Sequence, residues 1–175
     1  MNQYKTQRGF TLIELLVVIA IIGVLSSAVL ASLSTARTKA KYSAARLELQ
    51  QISKAIVIAQ GEVGDTVQSM TGHTCSRCAC AAGTNIQNIS SGTSCYQNWE
   101  HAITAIESAA DDLAVGISSA LRDPWGAPYL LDENEGENSG NPCRADLLYT
   151  AGEDGIRDTS DDYIVTIPFI SSECQ

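Results

Sequence analysis

From Phe10 to Leu33 nearly every position is apolar, and the only charge in the run is Glu14. No proline interrupts the chain between Phe10 and Gln60. About 24 helical residues rise roughly 36 Å, more than the roughly 30 Å of a bilayer's hydrocarbon core, so the run predicts one transmembrane helix. It is longer than the 7–15 apolar residues or so of a cleaved signal peptide. Beyond it the pattern changes. Tyr42, Ala45, Leu49, Ile52, Ile56 and Ala59 recur at spacings of three and four, while Arg46, Glu48, Gln51 and Lys54 fall between them. That is an apolar stripe on an otherwise polar helix. The two patterns predict a single helix of about 50 residues, stopped by Gly61 and Gly64. Its second half packs on a globular head along the stripe.

The head starts with a change of composition. Between Gly61 and Gly92 the chain is rich in Gly, Ser, Thr, Asn, Cys and Ala and reads as loop. Trp99, Ala102, Ile103, Ile106, Leu113 and Ile117 carry a second helical spacing, interrupted near Asp111-Asp112 and Gly116. Asp123-Pro124, then Gly126, predicts a turn, followed by a strand starting at Tyr129. The polar, acidic segment Asp132 to Pro142 reads as a loop. Leu147–Thr150 and Asp162–Ile167 are the second and third strands, and Pro168 puts the third at an edge. These two form an antiparallel hairpin centred near Arg157. The fold class is therefore α+β, a long N-terminal helix on a small antiparallel sheet.

Charge divides the chain. The formal net charge of −9 combines a basic stem (Arg37, Lys39, Lys41, Arg46 and Lys54 against Glu48) with an acidic head in which the bases are Arg77, Arg122, Arg144 and Arg157. Such a head argues against nucleic-acid binding and suits divalent cations or the basic stems of neighbouring chains. Six cysteines, Cys75, Cys78, Cys80, Cys95, Cys143 and Cys174, all lie in the head. Outside the cytoplasm they read as disulfides. Cys75-x-x-Cys78 also admits a zinc site, although a second C-x-x-C is missing, and free thiols are the third option. Cys143 and Cys174 fall at the open end of the hairpin and are expected to pair. The other four have no readable connectivity. His73 and His101 read as surface residues, and no Ser/His/Asp or Cys/His arrangement points to an enzyme.

Glu14 needs an explanation, because a carboxylate in a helix bound for lipid is unfavourable unless it finds a partner. The residues Lys5, Arg8, Gly9, Phe10, Thr11, Leu12, Ile13, Glu14 and Leu15 resemble the prepilin signature shared by type IV pilins and the pseudopilins of type II secretion. The resemblance implies cleavage between Gly9 and Phe10 by a prepilin peptidase on the cytoplasmic face, followed by N-methylation of Phe10. It implies that Glu14, fifth in the mature chain, pairs with the amino terminus of a neighbouring subunit. Counting charges would place the N-terminus outside; the resemblance implies the opposite. Ala31 stands where many relatives carry a proline, which leaves Gly23 and Ser26-Ser27 as the weak points of the helix.

A second resemblance concerns the C-terminal part. The hairpin connection concentrates Glu153, Asp154, Asp158, Asp161 and Asp162. By composition it is either a solvated acidic loop or a Ca²⁺ loop, and it lacks the ligand ladder of an EF-hand. Asp123-Pro124-Trp125-Gly126-Ala127-Pro128-Tyr129, with Ala151-Gly152-Glu153-Asp154-Gly155 and Thr159-Ser160-Asp161-Asp162-Tyr163-Ile164, resembles the calcium-binding major pseudopilin. That resemblance implies Ca²⁺ ligation by Asp154, Asp161 and Asp162, with Asp158 as an additional candidate and backbone carbonyls completing the site. The expected organisation is a leader at 1–9, a transmembrane and filament-core helix at 10–35, its amphipathic half at 36–60, and an extracytoplasmic head at 61–175. The expected function is that of a structural subunit. It is single-pass in the inner membrane with a cytoplasmic N-terminus, surrounded by lipid before assembly, and polymerises with copies of itself at an inner-membrane assembly platform into a secretion pseudopilus or a pilus. The rival reading is a membrane-tethered extracytoplasmic binding domain that never polymerises.

Overall fold

The computed structural model describes residues 9–111, 113–114, 116–137, 139–171 and 174, without the side chains of Ala28 and Ala31. The leader bases Lys5 and Arg8, and Asp112, lie outside the described residues. Helix α1 spans Leu12–Val63 and is continuous through Gly23 and Ser26-Ser27. Ser27 returns its hydroxyl to the Val24 carbonyl at 2.8 Å, so it stays within the helix's own hydrogen bonding. The helix runs past Gly61. It stops at Gly64, whose left-handed φ of 72° lets its N–H reach the Gln60 carbonyl at 2.8 Å. Two compact units meet within α1, one ending at Ala40 and the other comprising Lys41–Gln175.

In the first unit the apolar side chains have no cover: Phe10 is 90% exposed and Leu12 88%. Among the described residues this is the one helix long and apolar enough to cross a membrane.

In the second unit the stripe on α1 is buried as its spacing predicts. Leu49, Ile52, Ala55, Ile56 and Ala59 meet Trp99, Ile103 and Ile106 from helix α4 (Ser94–Ala109). Thr93 caps α4 by accepting the Tyr96 N–H. The helix therefore starts five residues before Trp99 and ends at Ala109, ahead of Asp111, which has a positive φ, and Gly116; only the 3₁₀ turn Ile117–Ser119 continues the pattern. Segment 61–92 is not all loop. It contains α2 (Val67–Thr71) and α3 (Ser76–Ala79), each capped by the side chain of the preceding residue.

Strands β1 (Leu130–Asp132), β2 (Leu147–Thr150) and β3 (Tyr163–Thr166) form an antiparallel sheet in the order β1-β2-β3. Leu131 pairs with Leu148, and Leu148 with Val165. Alternation then sorts the two faces. Leu131 and Leu148 join the α1–α4 core, while Leu130 and Tyr149 face a second cluster of Cys80, Ile86, Cys95, Ala127 and Ala151. The Cys-rich segment is thus the cover of the sheet's far face. It has few apolar side chains for the task, and the Cys80–Cys95 disulfide lies inside that cluster. Closing a loop of about 15 residues contributes about 3 kcal/mol in the chain-entropy account.

Segment 132–142 departs most from expectation. Asp132, Glu133, Asn134 and Glu135 are 6%, 3%, 1% and 2% exposed, so its first four residues are interior rather than solvated.

Candidate functional site

At the N-terminus, Thr11 is the residue before the first turn of α1 and Glu14 is the third within it. Glu14 Oε2 accepts from Thr11 N–H and from Thr11 Oγ1, both at 2.8 Å, and Thr11 Oγ1 accepts from Glu14 N–H at 3.3 Å. This is a capping box: two otherwise unpaired helix-start donors are satisfied reciprocally. The T-x-x-E spacing announces it. Glu14 therefore has a partner within its own chain, one that the reading of it as a charge stranded in lipid overlooks. Gly9 and Phe10 are exposed just before the helix.

In the head, the connection from Ala151 to Asp162 is fixed from outside by segment 85–87. Asn85 Nδ2 donates to the Asp154 carbonyl and Gln87 Nε2 to the Glu153 carbonyl, both at 2.7 Å, and Ile86 N–H reaches the Gly155 carbonyl at 2.9 Å. Arg157 Nε donates to the Cys80 carbonyl at 2.8 Å. The Asp-Pro-Trp-Gly turn is organised by Asp123. Its Oδ1 accepts from the N–H groups of Trp125 and Ala127 at 2.9 Å, and its other oxygen accepts from Thr150 Oγ1. Both resemblance motifs thus have structural work within the head.

Inside the connection the carboxylates face backbone donors. Asp161 Oδ2 accepts from Asp154 N–H at 2.9 Å, Asp162 Oδ2 from Asp158 N–H at 2.7 Å, and Asp154 Oδ1 from Ile156 N–H at 2.7 Å. Thr159 Oγ1 reaches Asp161 Oδ1 at 2.6 Å and Asp162 Oδ1 at 3.3 Å. Burial pushes the Asp161 carboxyl upward, but its donors, Thr159 foremost, outweigh this and hold it below the usual range. For Asp162 burial wins and the carboxyl is raised.

The loop is a set of hard oxygen donors of the type Ca²⁺ takes. Asp161 and Asp162 converge on one point, the Thr159 hydroxyl. Asp154 does not join them, since its carboxylate is turned to Ile156 N–H. Asp158 is turned toward arginines. Its oxygens are held by Arg77 Nη2 at 2.9 Å and Arg157 Nη1 at 2.7 Å, and Arg77 is the first cause of its lowered carboxyl. Among the described residues, one set of three Cys, Asp, Glu or His groups brings its ligand atoms within 4.8 Å of one another: Cys75, Cys78 and Asp132. There the two sulfurs are bonded to each other, which removes the thiolate zinc reading. The other disulfides are Cys80–Cys95 and Cys143–Cys174, with Cα atoms 4.6 and 5.2 Å apart, and no described cysteine is free. His73 and His101 are exposed, and His101 Nδ1 lies 3.3 Å from Thr74 Oγ1.

Gly152 is the tightest point of the connection. Its φ is 65°, and an added Cβ would come within 2.5–2.7 Å of Asp161 carboxylate and carbonyl atoms. Gly152→Ala is expected to lower head stability by at least about 1–2 kcal/mol from handedness alone, read as a drop in denaturant midpoint. A midpoint equal to wild type would mean that the loop is open at Asp161.

An uncovered apolar helix that follows Gly9-Phe10 and opens with a capped glutamate, together with a disulfide-bonded α+β head, fits a single-pass membrane-anchored chain. Residues 4–30 match the prokaryotic N-terminal methylation motif, so the chain carries the prepilin signature of type IV pilins and pseudopilins. No curated protein and no solved structure matches the chain.

Proposed function

We propose that the chain is a structural subunit that polymerises into a type IV-like filament serving protein secretion or pilus functions such as adhesion, motility or DNA uptake. The observation that carries this reading is the prepilin signature, with Gly9-Phe10 ahead of Glu14, on a helix whose apolar side chains have no cover within the chain. A prepilin peptidase cuts after Gly9 on the cytoplasmic side and Phe10 is methylated. The head then lies outside the cytoplasm, where its disulfides persist. On assembly at an inner-membrane platform, α1 exchanges lipid for copies of itself, and Glu14 exchanges Thr11 for a neighbour's ammonium. An ammonium and a carboxylate that meet in a dry bundle offset each other's desolvation. Mass spectrometry of the chain from its native membrane tests processing: it should start at Phe10 and carry one methyl group, and a chain retaining residues 1–9 overturns the reading. The capping box gives the tethered-domain rival a specific footing, because it accounts for Glu14 without any neighbour.

Calcium is part of the proposal, with Asp161 and Asp162 as ligands and Asp154 joining after it leaves Ile156 N–H. The support is the convergence of two carboxylates on Thr159 and the external anchoring of the loop. Full-length protein in detergent is expected to unfold at higher temperature in millimolar Ca²⁺ than in EDTA by mass action. Asp161→Ala with Asp162→Ala should remove the part of that gain due to this loop. An unchanged gain in the double variant excludes the site.

A further inference from the structure

The interior acidic segment after β1 is absorbed by neither reading. Asp132, Glu133, Glu135 and Asp146 are all at least nine-tenths buried, and among the described ion pairs only Asp132 meets a base, Arg77 at 3.3 Å. Glu135 is satisfied by the N–H groups of Ile170 and Ser171, and Glu133 accepts from Thr71 Oγ1. Asp146 is not satisfied. Its Oδ1 takes two backbone donors, Asn134 N–H at 2.5 Å and Glu135 N–H at 2.8 Å, while its Oδ2 is buried with no hydrogen-bond partner. Asn134 Oδ1, on the residue whose N–H Asp146 accepts, is a second buried oxygen without a partner.

The Asn134 amide cannot be turned round to repair this. Its Nδ2 donates to the carbonyls of Asp132 at 3.1 Å and Ala145 at 3.0 Å, and a flip would set its oxygen against both. Asn134 also lines a cavity of about 560 Å³ whose other walls are Glu137, Ser139, Asn141 and Arg144, so further oxygen donors stand beside it, with one guanidinium among them. Unsatisfied buried oxygens are rare in folded proteins and call for a missing partner. Two such acceptors on residues joined by the Asn134 N–H to Asp146 Oδ1 bond, in a negative interior, call for a cation, and an all-oxygen set of carboxylate and amide selects a hard one.

We propose that Asn134 Oδ1 and Asp146 Oδ2 bind a calcium-class divalent cation, with Glu133 and Glu137 as the nearby carboxylates that balance its charge. The site is separate from the Asp154–Asp162 connection and independent of the filament reading. It joins the exit of β1 to the entry of β2. The adjacent Glu135 holds the backbone of Ile170 and Ser171.

The test is Ca²⁺ titration calorimetry on EDTA-stripped full-length protein in detergent, with Mg²⁺ as a second probe. Asp146→Asn should lower the number of bound Ca²⁺ ions by one relative to its parent, whatever the parent's number. Changing a group that merely hydrogen-bonds to a metal ligand costs about 10–100-fold in metal affinity, so loss of this charged ligand should exceed about 100-fold. The same should hold when the parent is the Asp161→Ala, Asp162→Ala variant, which must itself keep one ion. In EDTA, Asp146→Asn should melt no lower than its parent, since its amide oxygen can keep both backbone donors while a buried charge is removed; this separates a lost site from a lost fold. Asn134→Leu, which removes the other oxygen, should also lower Ca²⁺ affinity. If a folded Asp161→Ala, Asp162→Ala protein binds no Ca²⁺, or if Asp146→Asn leaves both number and affinity unchanged, the oxygens are bridged by water or a proton only and the proposal fails.

Discussion

Glu14→Ala is expected to leave the chain in the membrane and to remove it from filaments. The result alone is ambiguous, because alanine deletes two things: the charge that would meet a neighbour's ammonium and the acceptor that closes the Thr11 capping box. Glu14→Gln separates them. Glutamine serves in a capping box as glutamate does, so the helix start is kept while the charge is lost. If filament assembly depends on charge pairing, Gln fails as completely as Ala. If Glu14 matters only as a cap, Gln assembles normally and Ala does not. The readouts are filaments counted by electron microscopy and the membrane-extracted pool of the subunit measured by immunoblot. Full assembly of both variants would show that the filament needs neither the charge nor the cap of Glu14, whereas a wild-type chain found in no filament would leave the tethered-domain reading standing. The charge-pairing outcome also has a structural consequence. A carboxylate with two donors in its own chain must give them up to enter the filament, so the monomer is held in a satisfied state until an ammonium replaces them.

Head stability in EDTA should fall as pH rises from about 4.5 to 7, and Glu133→Gln should flatten that slope. Burial, opposed by the Thr71 hydroxyl and reinforced by Asp146, Asp132 and Glu137, pushes the Glu133 carboxyl from 4.5 up to about 7. The fold therefore favours the neutral acid. Its contribution is fully present below the unfolded value and is lost as pH passes the folded one. The difference corresponds to about 3 kcal/mol across the window. Asp146 and Asp123, also raised by burial, act in the same direction. The carboxyls held low, such as Asp158 beside Arg77, act oppositely but below the usual carboxylate range, outside this window. Urea midpoints at pH 5 and pH 8 measure it. A Glu133→Gln protein with the full wild-type slope would show that the strain lies elsewhere. Saturating Ca²⁺ should reduce the slope in wild type, because a cation near Glu133 favours its charged form.

Much of the fold could be read along the chain, because it rests on local signals. The apolar run and the three-and-four stripe define α1, and each stripe residue from Ala45 to Ala59 is buried. Leu147–Thr150 is a strand at its expected bounds. Of the two expected stops, Gly61 is passed because a helical glycine is tolerated, and Gly64 ends α1 by adopting a left-handed φ. Cys143 and Cys174 were expected to pair at the hairpin's open end, and the structure joins them. The basic stem was read as a surface for neighbouring heads. Within the head, however, Arg46 stacks 4.8 Å from the Tyr163 ring centroid and Lys41 lies 6.0 Å from Trp125.

By itself, then, the sequence determined what periodicity and spacing encode: the membrane-length helix and its buried stripe, the three strands and the prepilin signature. Each of these is set by residues within a few positions of one another. The tertiary structure alone decided that the Cys-rich segment covers the sheet's second face and that Asp158 belongs to arginines. It also decided that Asp132, Glu133 and Glu135 lie inside. Their partners are Arg77, Thr71, Ile170 and Ser171, between 35 and 62 positions away. A carboxylate can be buried only where such donors arrive, and nothing local in a run of Asp, Glu and Asn foretells their arrival.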